Sequence, residues 1–288
     1  MSNYTQANYE KLFQLAVPLF CPTEDNEGNL YCVSTNGDVY QVTEGQMDVA
    51  FSTGGQPCGL VYDHQGSSFI ADQAHQAILS QTITDNRIEI TPVIKDFDGK
   101  PLKGPNSMIL SEKNNSLFFT DSGPLGETSI ESPQGSVFAI DLSVSMLKPV
   151  IDGKLAHPSG IALSTDENES MIFVSETGMN RILRIVSHPS GVYHTGVFHQ
   201  FSGRFGPTAL AMHPDGRLFV ARFDFTECSK HGLITILSTD GQVEEELQVN
   251  DCPEITGLYF SKMQDDILYA TESTTNSLLK IQVSSTQA

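Results

Sequence analysis

Short apolar runs alternate with polar turn residues along the whole chain. The runs are rich in β-branched and aromatic side chains and are bounded by Gly, Asp and Asn, which is typical of β-strands and hairpins. No stretch has the periodicity of a helix longer than two turns. The chain is therefore predicted to be an all-β protein.

A phrase of the form Pro-x-Gly-hydrophobic, in intact or degenerate copies, opens an apolar strand six times. Successive copies lie 38 to 53 residues apart, a period typical of four-stranded propeller blades. We refer to the second residue of the phrase as the x residue. Because each copy opens the innermost strand of a blade, the x residues should converge on the central channel. In sequence order they are Phe20, Cys58, Asn106, Ser159, Thr208 and Thr256.

Further strands follow each phrase, but the last unit has only three before the chain ends. The apolar segment at residues 11–17 has no other assignment and can supply the missing strand. A ring closed in this way ties the termini together and removes an exposed sheet edge. We predict a single domain over residues 1–288, a six-bladed β-propeller of four-stranded blades whose N-terminal strand completes the last blade.

The chain carries a net charge of −19, from 35 acidic and 16 basic residues spread along its length. Nucleic acids and anionic membranes are disfavoured as partners, because both need clustered Lys or Arg. No apolar stretch is long enough to span a membrane, and five cysteines without a CxxC pair favour reduced thiols. We expect a cytoplasmic monomer that binds a small organic molecule and neither nucleic acid nor membrane.

Several phrases resemble those of known propellers. They include Gly-Gly-Gln-Pro-Cys-Gly-Leu at residues 54–60, Ile-Ala-Asp-Gln-Ala-His at 70–75, Asp-Gly-Lys-Pro-Leu-Lys at 98–103, Phe-Thr-Asp-Ser at 119–122, and residues 176–184. Over about residues 18–284 the chain resembles the superfamily of six-bladed propellers that contains regucalcin, gluconolactonases, diisopropyl fluorophosphatase and the strictosidine synthase-like proteins. The strictosidine synthase-like branch is nearest. The resemblance implies an enzyme that acts on a small molecule.

The resemblance also implies a metal site. Lactonase-type members hold calcium or a similar ion with a Glu, two Asn and an Asp at the x positions of blades one, three, four and five. Those positions here are Phe20, Asn106, Ser159 and Thr208, and only Asn106 matches. A hard dication takes about six to eight oxygen ligands, usually with carboxylates among them. We therefore predict no metal site and no cofactor, with a calcium ion at Asn106 as the alternative.

The plant strictosidine synthases work without a metal and use a glutamate at the x position of the last blade as acid and base. That position here is Thr256. Glu254 lies two residues earlier, on the same face if the strand extends that far, and is a poor substitute. Both catalytic solutions of the superfamily are thus altered in this chain.

Four second strands end in a carboxylate on the same face as the x residues, at Asp72, Asp121, Glu176 and Glu272. Such carboxylates could bind a cation or an amine, or act as a general base. Alternatively, each caps backbone N–H groups of the neighbouring blade. We predict Asn106, Asp121 and Glu176 as the catalytic residues.

The other five x residues are predicted to bind the substrate: Phe20, Cys58, Ser159, Thr208 and Thr256. Cys58 and Ser159 are also candidate nucleophiles, and His157 lies two residues before Ser159, but no partner for either is evident from the sequence. Phe20 favours a lipophilic ligand over a sugar lactone.

Two functions stay open. The first is an enzyme, either a lactone or ester hydrolase or a metal-independent acid/base enzyme. The second is a non-catalytic propeller that binds a small ligand or a partner.

Overall fold

Six four-stranded antiparallel sheets form a ring in the computed structural model, which describes residues 4–43, 45–84, 87–188 and 190–283. This confirms the predicted six-bladed β-propeller. The terminal residues 1–3 and 284–288 of the predicted domain lie outside the described residues. The described helical structure is a single 3-10 turn, Thr177–Met179. No helix in the described ranges has the length and hydrophobicity of a membrane span.

Within each blade the strands follow one another from the innermost to the outermost, and in the sixth blade the N-terminal strand is the outermost. The first three blades are Leu19–Glu24, Leu30–Ser34, Asp38–Thr43 and Gln46–Ser52; then Pro57–Tyr62, Ser68–Asp72, Ala77–Thr84 and Arg87–Ile94; then Pro105–Ser111, Ser116–Asp121, Gly135–Asp141 and Met146–Leu155. The last three blades are Pro158–Leu163, Met171–Glu176, Arg181–Ser187 and Tyr193–Gln200; then Phe205–Met212, Leu218–Asp224, Gly232–Leu237 and Val243–Val249; then Ile255–Phe260, Ile267–Glu272, Ser277–Gln282 and Asn8–Gln14. A two-stranded hairpin, Asp96–Phe97 with Lys100–Pro101, follows the second blade.

The N-terminal strand closes the ring, as predicted. Asn8–Gln14 pairs antiparallel with Ser277–Gln282, so the closing strand begins and ends three residues before the predicted 11–17. Tyr9 explains the earlier start, since its ring packs on the core between blades five and six and its hydroxyl donates to the Asn250 carbonyl at 2.7 Å. The sequence pattern missed a second strand, Thr5–Gln6, which pairs in parallel with the outer strand of blade five.

The repeated phrase marks a bulge and a close contact between blades. All six innermost strands shift register against their neighbours at or next to the x residue, and such bulges redirect side chains. Where a glycine follows the x residue, in blades two, four and six, packing requires it. A Cβ on Gly160 would lie 2.5 Å from the Thr208 carbonyl oxygen, and one on Gly59 would lie 2.9 Å from that of Asn106. The residue types in the phrase therefore reflect the close packing between the innermost strands of adjacent blades.

Candidate active site

A cavity of about 760 Å³ runs along the propeller axis, lined mainly by the innermost strands. All six x residues contribute to its lining, so the predicted convergence is confirmed. At the end away from the x residues, Glu169 accepts a hydrogen bond from Ser111, and Lys113 Nζ lies 3.4 Å from the Asp166 carbonyl. Those groups join blades three and four, and the end that carries the x residues is the better candidate for chemistry.

Three of the x residues use their hydroxyl groups to join adjacent blades. Ser159 Oγ donates to the Thr208 carbonyl at 2.8 Å, and Thr208 Oγ1 donates to the Ile255 carbonyl at 3.1 Å. Thr256 Oγ1 donates to the Leu19 carbonyl at 2.6 Å and closes the series between blades six and one. We call Ser159, Thr208 and Thr256 the seam hydroxyls. They line the cavity as predicted, but the proton of each is committed to the protein.

Asn106 differs from the seam hydroxyls. Its Nδ2 donates to Ser122 Oγ at 3.2 Å, and Ser122 in turn donates to the Gly123 carbonyl at 2.8 Å. Its Oδ1 has no hydrogen-bond partner among the described residues, although Asn106 lines the cavity. The amide oxygen is thus an acceptor available to water or a ligand.

Phe20 and Cys58 make their part of the wall apolar. Burial, with smaller contributions from the nearby Asp72 and Cys21, raises the pKa of the Cys58 thiol to about 12. A thiol in this state is protonated at neutral pH and is a weak nucleophile. Cys58 is therefore better suited to packing against a ligand than to attacking one.

The two predicted catalytic carboxylates support the backbone. Both are buried and lie outside the cavity lining. Asp121 accepts hydrogen bonds from the backbone N–H groups of Lys103 and Gly104, at 3.0 and 2.9 Å. Glu176 accepts from the Ala156 N–H at 2.9 Å and pairs with Arg181 Nε at 2.7 Å. Because their oxygens are used in this way, we reassign both from chemistry to backbone support.

The same arrangement recurs in blades two and six. Asp72 accepts a hydrogen bond from the Gln56 N–H at 3.0 Å, and Glu272 accepts one from the Glu254 N–H at 3.1 Å. All four acidic strand ends thus cap the segment that enters the innermost strand of their own blade. The capping interpretation holds, with the difference that the capped segment belongs to the same blade and not to its neighbour.

Two titratable side chains carried by these capped segments line the cavity: His157 and Glu254. Each lies two residues before an x residue, and we call them the entry residues. Nδ1 of His157 is buried without a hydrogen-bond partner, and burial lowers the pKa of the imidazole. The Glu254 carboxylate makes no hydrogen bond or ion pair within the described part of the chain. From the sequence, His157 is only a possible helper of Ser159 and Glu254 a poor substitute for a catalytic glutamate. The position that the two share, two residues before an x residue, is the signal that connects them.

The side chains at the family's metal-ligand positions do not fit a calcium ion. Phe20 offers no donor atom, and the protons of the Ser159 and Thr208 hydroxyls are directed at carbonyl groups of the next blade. No carboxylate stands at these positions, and Asn106 Oδ1 with the two hydroxyl oxygens gives at most three neutral donors. Since a calcium ion takes about six to eight oxygens, this set falls far short, and the lack of a metal site stays a prediction.

The chain belongs to the SMP-30/gluconolactonase/LRE-like family, whose sequence profile matches residues 21–286. A lactonase, drp35 of Staphylococcus epidermidis, is 25% identical over 211 residues, which cover 69% of this chain and 61% of the lactonase. The adipocyte plasma membrane-associated protein Hemomucin of Drosophila melanogaster is 28% identical over 141 residues, 45% of this chain and 24% of that protein. The matches thus span less than two thirds of either relative.

Solved structures show the same fold. A regucalcin from Agrobacterium tumefaciens, described as a calcium-binding protein, superposes with a TM-score of 0.80 at 14% identity, covering 99% of this chain and 98% of its own. A gluconolactonase from Xanthomonas campestris gives a TM-score of 0.78 at 21% identity, covering 96% and 90%. At these identities the likeness concerns the fold. The family is shown, while the nearer relation to the strictosidine synthase-like branch stays a prediction.

Proposed function

We propose that the central cavity hydrolyses a small, largely apolar lactone or ester without a metal ion. The observation that carries the proposal is the lining of the cavity: its walls are mainly apolar, and Asn106, His157 and Glu254 are among the lining side chains that have a polar atom without a hydrogen-bond partner in the described part of the chain. Pockets with apolar walls and a few placed polar groups are typical small-molecule sites. The lactonase and gluconolactonase relatives support the reaction class.

Glu254 is the residue best suited to activate water. In the proposed reaction its carboxylate accepts a proton from a water molecule as the water oxygen attacks the carbonyl carbon of the substrate. The bond from that carbon to the leaving oxygen then breaks, and the proton passes from Glu254 to the leaving oxygen. The product is a hydroxy acid from a lactone, or an acid and an alcohol from an ester. Oδ1 of Asn106 accepts a hydrogen bond from the attacking water and orients it.

Phe20 supports an apolar substrate. It places an aromatic ring in the cavity wall at a position where lactonase-type relatives carry a metal ligand, so polar sugar lactones lose the ion that would hold their oxygens. A phenyl-bearing ester or an aromatic lactone gains apolar contact there. Monomeric state and a cytoplasmic location belong to the proposal as well, and neither affects the chemistry.

The test is a substrate panel with the metal controlled. Purified full-length protein is treated with a chelator, its metal content is measured, and it is assayed on an aryl ester, an aromatic lactone, gluconolactone and an amine with an aldehyde. We expect hydrolysis of the aryl ester or the aromatic lactone by metal-free protein. Activity that needs added calcium would overturn the metal-free mechanism, and activity only in the condensation would favour strictosidine synthase-like chemistry. No turnover of any substrate would favour the non-catalytic binding protein.

A further inference from the structure

His157 lies in a backbone conformation that the surrounding structure holds in place. Its φ is 52°, in the left-handed region that residues other than glycine seldom adopt. Its N–H donates to Thr128 Oγ1 at 3.1 Å, and its carbonyl accepts from the Thr177 N–H at 3.1 Å. Strained conformations of this kind persist where the surroundings over-determine them, and they are frequent at functional sites.

The preceding residue is fixed as well, and Glu176 is responsible. The N–H of Ala156 donates to Glu176 Oε1 at 2.9 Å, while the other carboxylate oxygen is held by Arg181. The Ala156 carbonyl accepts from the Gly178 N–H at 3.0 Å, and a Cβ on Gly178 would lie 2.9 Å from Ala156 Cβ. The buried carboxylate therefore sets the position of the segment that presents His157 to the cavity.

The environment of the imidazole selects one protonation state. Burial lowers its pKa, so the ring is neutral near pH 7 and carries one N–H. A proton on Nδ1 would be a buried donor without an acceptor in the described structure, which is costly. This cost favours the tautomer with its proton on Nε2, the ring nitrogen left available to a ligand in the cavity.

We propose that His157 donates a hydrogen bond from Nε2 to the carbonyl oxygen of the substrate, and stabilises the negative charge on that oxygen when water adds. Glu176 and Thr128 act as positioning residues for this donor. The inference rests on the proposed hydrolysis and assigns a substrate class: carbonyl compounds whose oxygen becomes anionic in the reaction, such as lactones and esters. A neutral imidazole suits this role because it donates a hydrogen bond without having to give up its proton. A donor fixed in advance inside a largely apolar cavity is effective because it needs no reorganisation.

Kinetics of His157 variants test the role directly. His157→Ala should lower kcat about 100- to 1,000-fold with little change in KM, the usual cost of one donor to a developing oxyanion. His157→Gln keeps an N–H donor and should recover part of the loss. His194→Ala, at an exposed histidine in the outer strand of blade four, is the control and should match the wild type. Wild-type kcat in His157→Ala would overturn the inference.

A binding measurement separates this inference from the proposed reaction. The probe is the methyl monoester of benzylphosphonic acid, a tetrahedral anion that resembles the intermediate of ester hydrolysis, titrated calorimetrically into the full chain. His157→Ala should weaken binding about tenfold or more, since hydrogen bonds to charged groups are among the stronger ones. No binding to the wild type, or equal binding to the wild type and His157→Ala, would overturn the inference. Binding that depends on His157 without hydrolysis of any substrate would instead overturn the proposed function and retain the donor site.

The tautomer and the positioning role have their own readout. Nitrogen-15 NMR of the histidine rings, with His157 assigned by the His157→Gln variant, should show a neutral ring protonated on Nε2 at pH 7. A ring protonated on Nδ1, or on both nitrogens, would contradict the donor role. Glu176→Gln should shift the His157 ring signals and lower kcat more than it raises KM. A Glu176→Gln variant with wild-type ring signals and kcat would overturn the positioning role.

Discussion

Two seam hydroxyls, Ser159 and Thr256, lie two residues after the entry residues and line the same cavity, yet the two pairs do different work. Ser159 and Thr256 donate to carbonyl groups of the next blade. His157 and Glu254, immediately upstream, have side chains without hydrogen-bond partners among the described residues. The comparison shows that facing the channel does not make a group available for chemistry. What decides this is whether neighbouring blades already use its hydrogen-bonding capacity.

The acidic strand ends belong to the structural side of this comparison. Glu176 fixes the segment before His157, and Glu272 accepts the N–H of Glu254. The carboxylates that look most reactive in the sequence thus support the segments that carry His157 and Glu254 to the cavity. A catalytic carboxylate is expected to have a free oxygen, and Glu254 meets this condition.

The largest effect should come from an entry residue. Glu254→Gln removes the proposed base and should lower kcat about 100- to 10,000-fold, the typical contribution of general acid–base catalysis. Its thermal midpoint should stay near the wild-type value, because the lost carboxylate has no protein partner. Glu244→Gln, at an exposed position in the outer strand of blade five, serves as the control. A Glu254→Gln variant with full activity would remove the main support for the mechanism.

Substitution of a seam hydroxyl should have the opposite effect: it should lower the stability and leave kcat unchanged. Thr208→Val keeps the shape of the side chain but leaves the Ile255 carbonyl without its donor, which should cost about 1–3 kcal/mol of unfolding free energy. The kcat per folded molecule should not change. Urea unfolding and kinetics at a temperature where the variant is folded measure both quantities, with the exposed Thr195→Val as control. A large loss of kcat with unchanged stability would return the seam hydroxyls to the catalytic machinery.

Two acidic strand ends should respond to pH with opposite signs. Burial acts to raise the pKa of Asp72, but hydrogen bonds from His75, Gln56 and Thr53 outweigh it, and the pKa is lowered. Asp72 therefore stabilises the fold above the ordinary aspartate pKa, and this contribution is lost as pH falls through the lowered value. In Asp121 burial prevails over the bonds from Lys103 and Gly104, and the pKa is raised.

The contribution of Asp121 is therefore present below the ordinary aspartate pKa and declines as pH rises through the raised value. Unfolding free energies measured across the acidic range should show that Asp72→Asn reduces the loss of stability on acidification. In the wild type, the raised pKa of Asp121 should make the free energy of unfolding decline as pH rises. Asp121→Asn should remove this decline. Each pKa unit of difference from the unfolded chain corresponds to about 1.4 kcal/mol. If both substitutions changed the pH dependence of the unfolding free energy in the same direction, the pKa values of Asp72 and Asp121 would be shifted in the same direction, contrary to this prediction.

The smallest effect concerns the apolar wall. Phe20→Leu keeps the wall apolar but removes the aromatic face, and should lower kcat/KM for an aryl ester about two- to tenfold, the range of one aromatic pair. An alkyl ester of similar size is the control substrate and should be hydrolysed as by the wild type. Equal losses on both esters would mean that Phe20 supports the fold and does not select the substrate.

The fold could be predicted from the sequence because the phrase that opens each innermost strand reflects close packing between blades, and three of its six copies keep the glycine that this packing requires. Gly160 illustrates this: only a residue without a side chain fits against the Thr208 carbonyl. The site could not be predicted to the same extent. Whether the Ser159 hydroxyl is free depends on a carbonyl 49 residues away in the next blade, and the capping of Ala156 by Glu176 depends on how a hairpin folds back. Asn106 stays a predicted site residue, because its amide offers Nδ2 to the protein and leaves Oδ1 for a ligand.

A crystal structure of the protein with the benzylphosphonate monoester bound would show which groups hold the oxygens of the substrate carbonyl. We predict the phosphonate oxygens within hydrogen-bonding distance of His157 Nε2, near Asn106 and Glu254, with the phenyl ring against the apolar wall. Phosphonate oxygens bound instead by the hydroxyls of Ser159, Thr208 and Thr256, or by a metal ion at Asn106, would contradict the account.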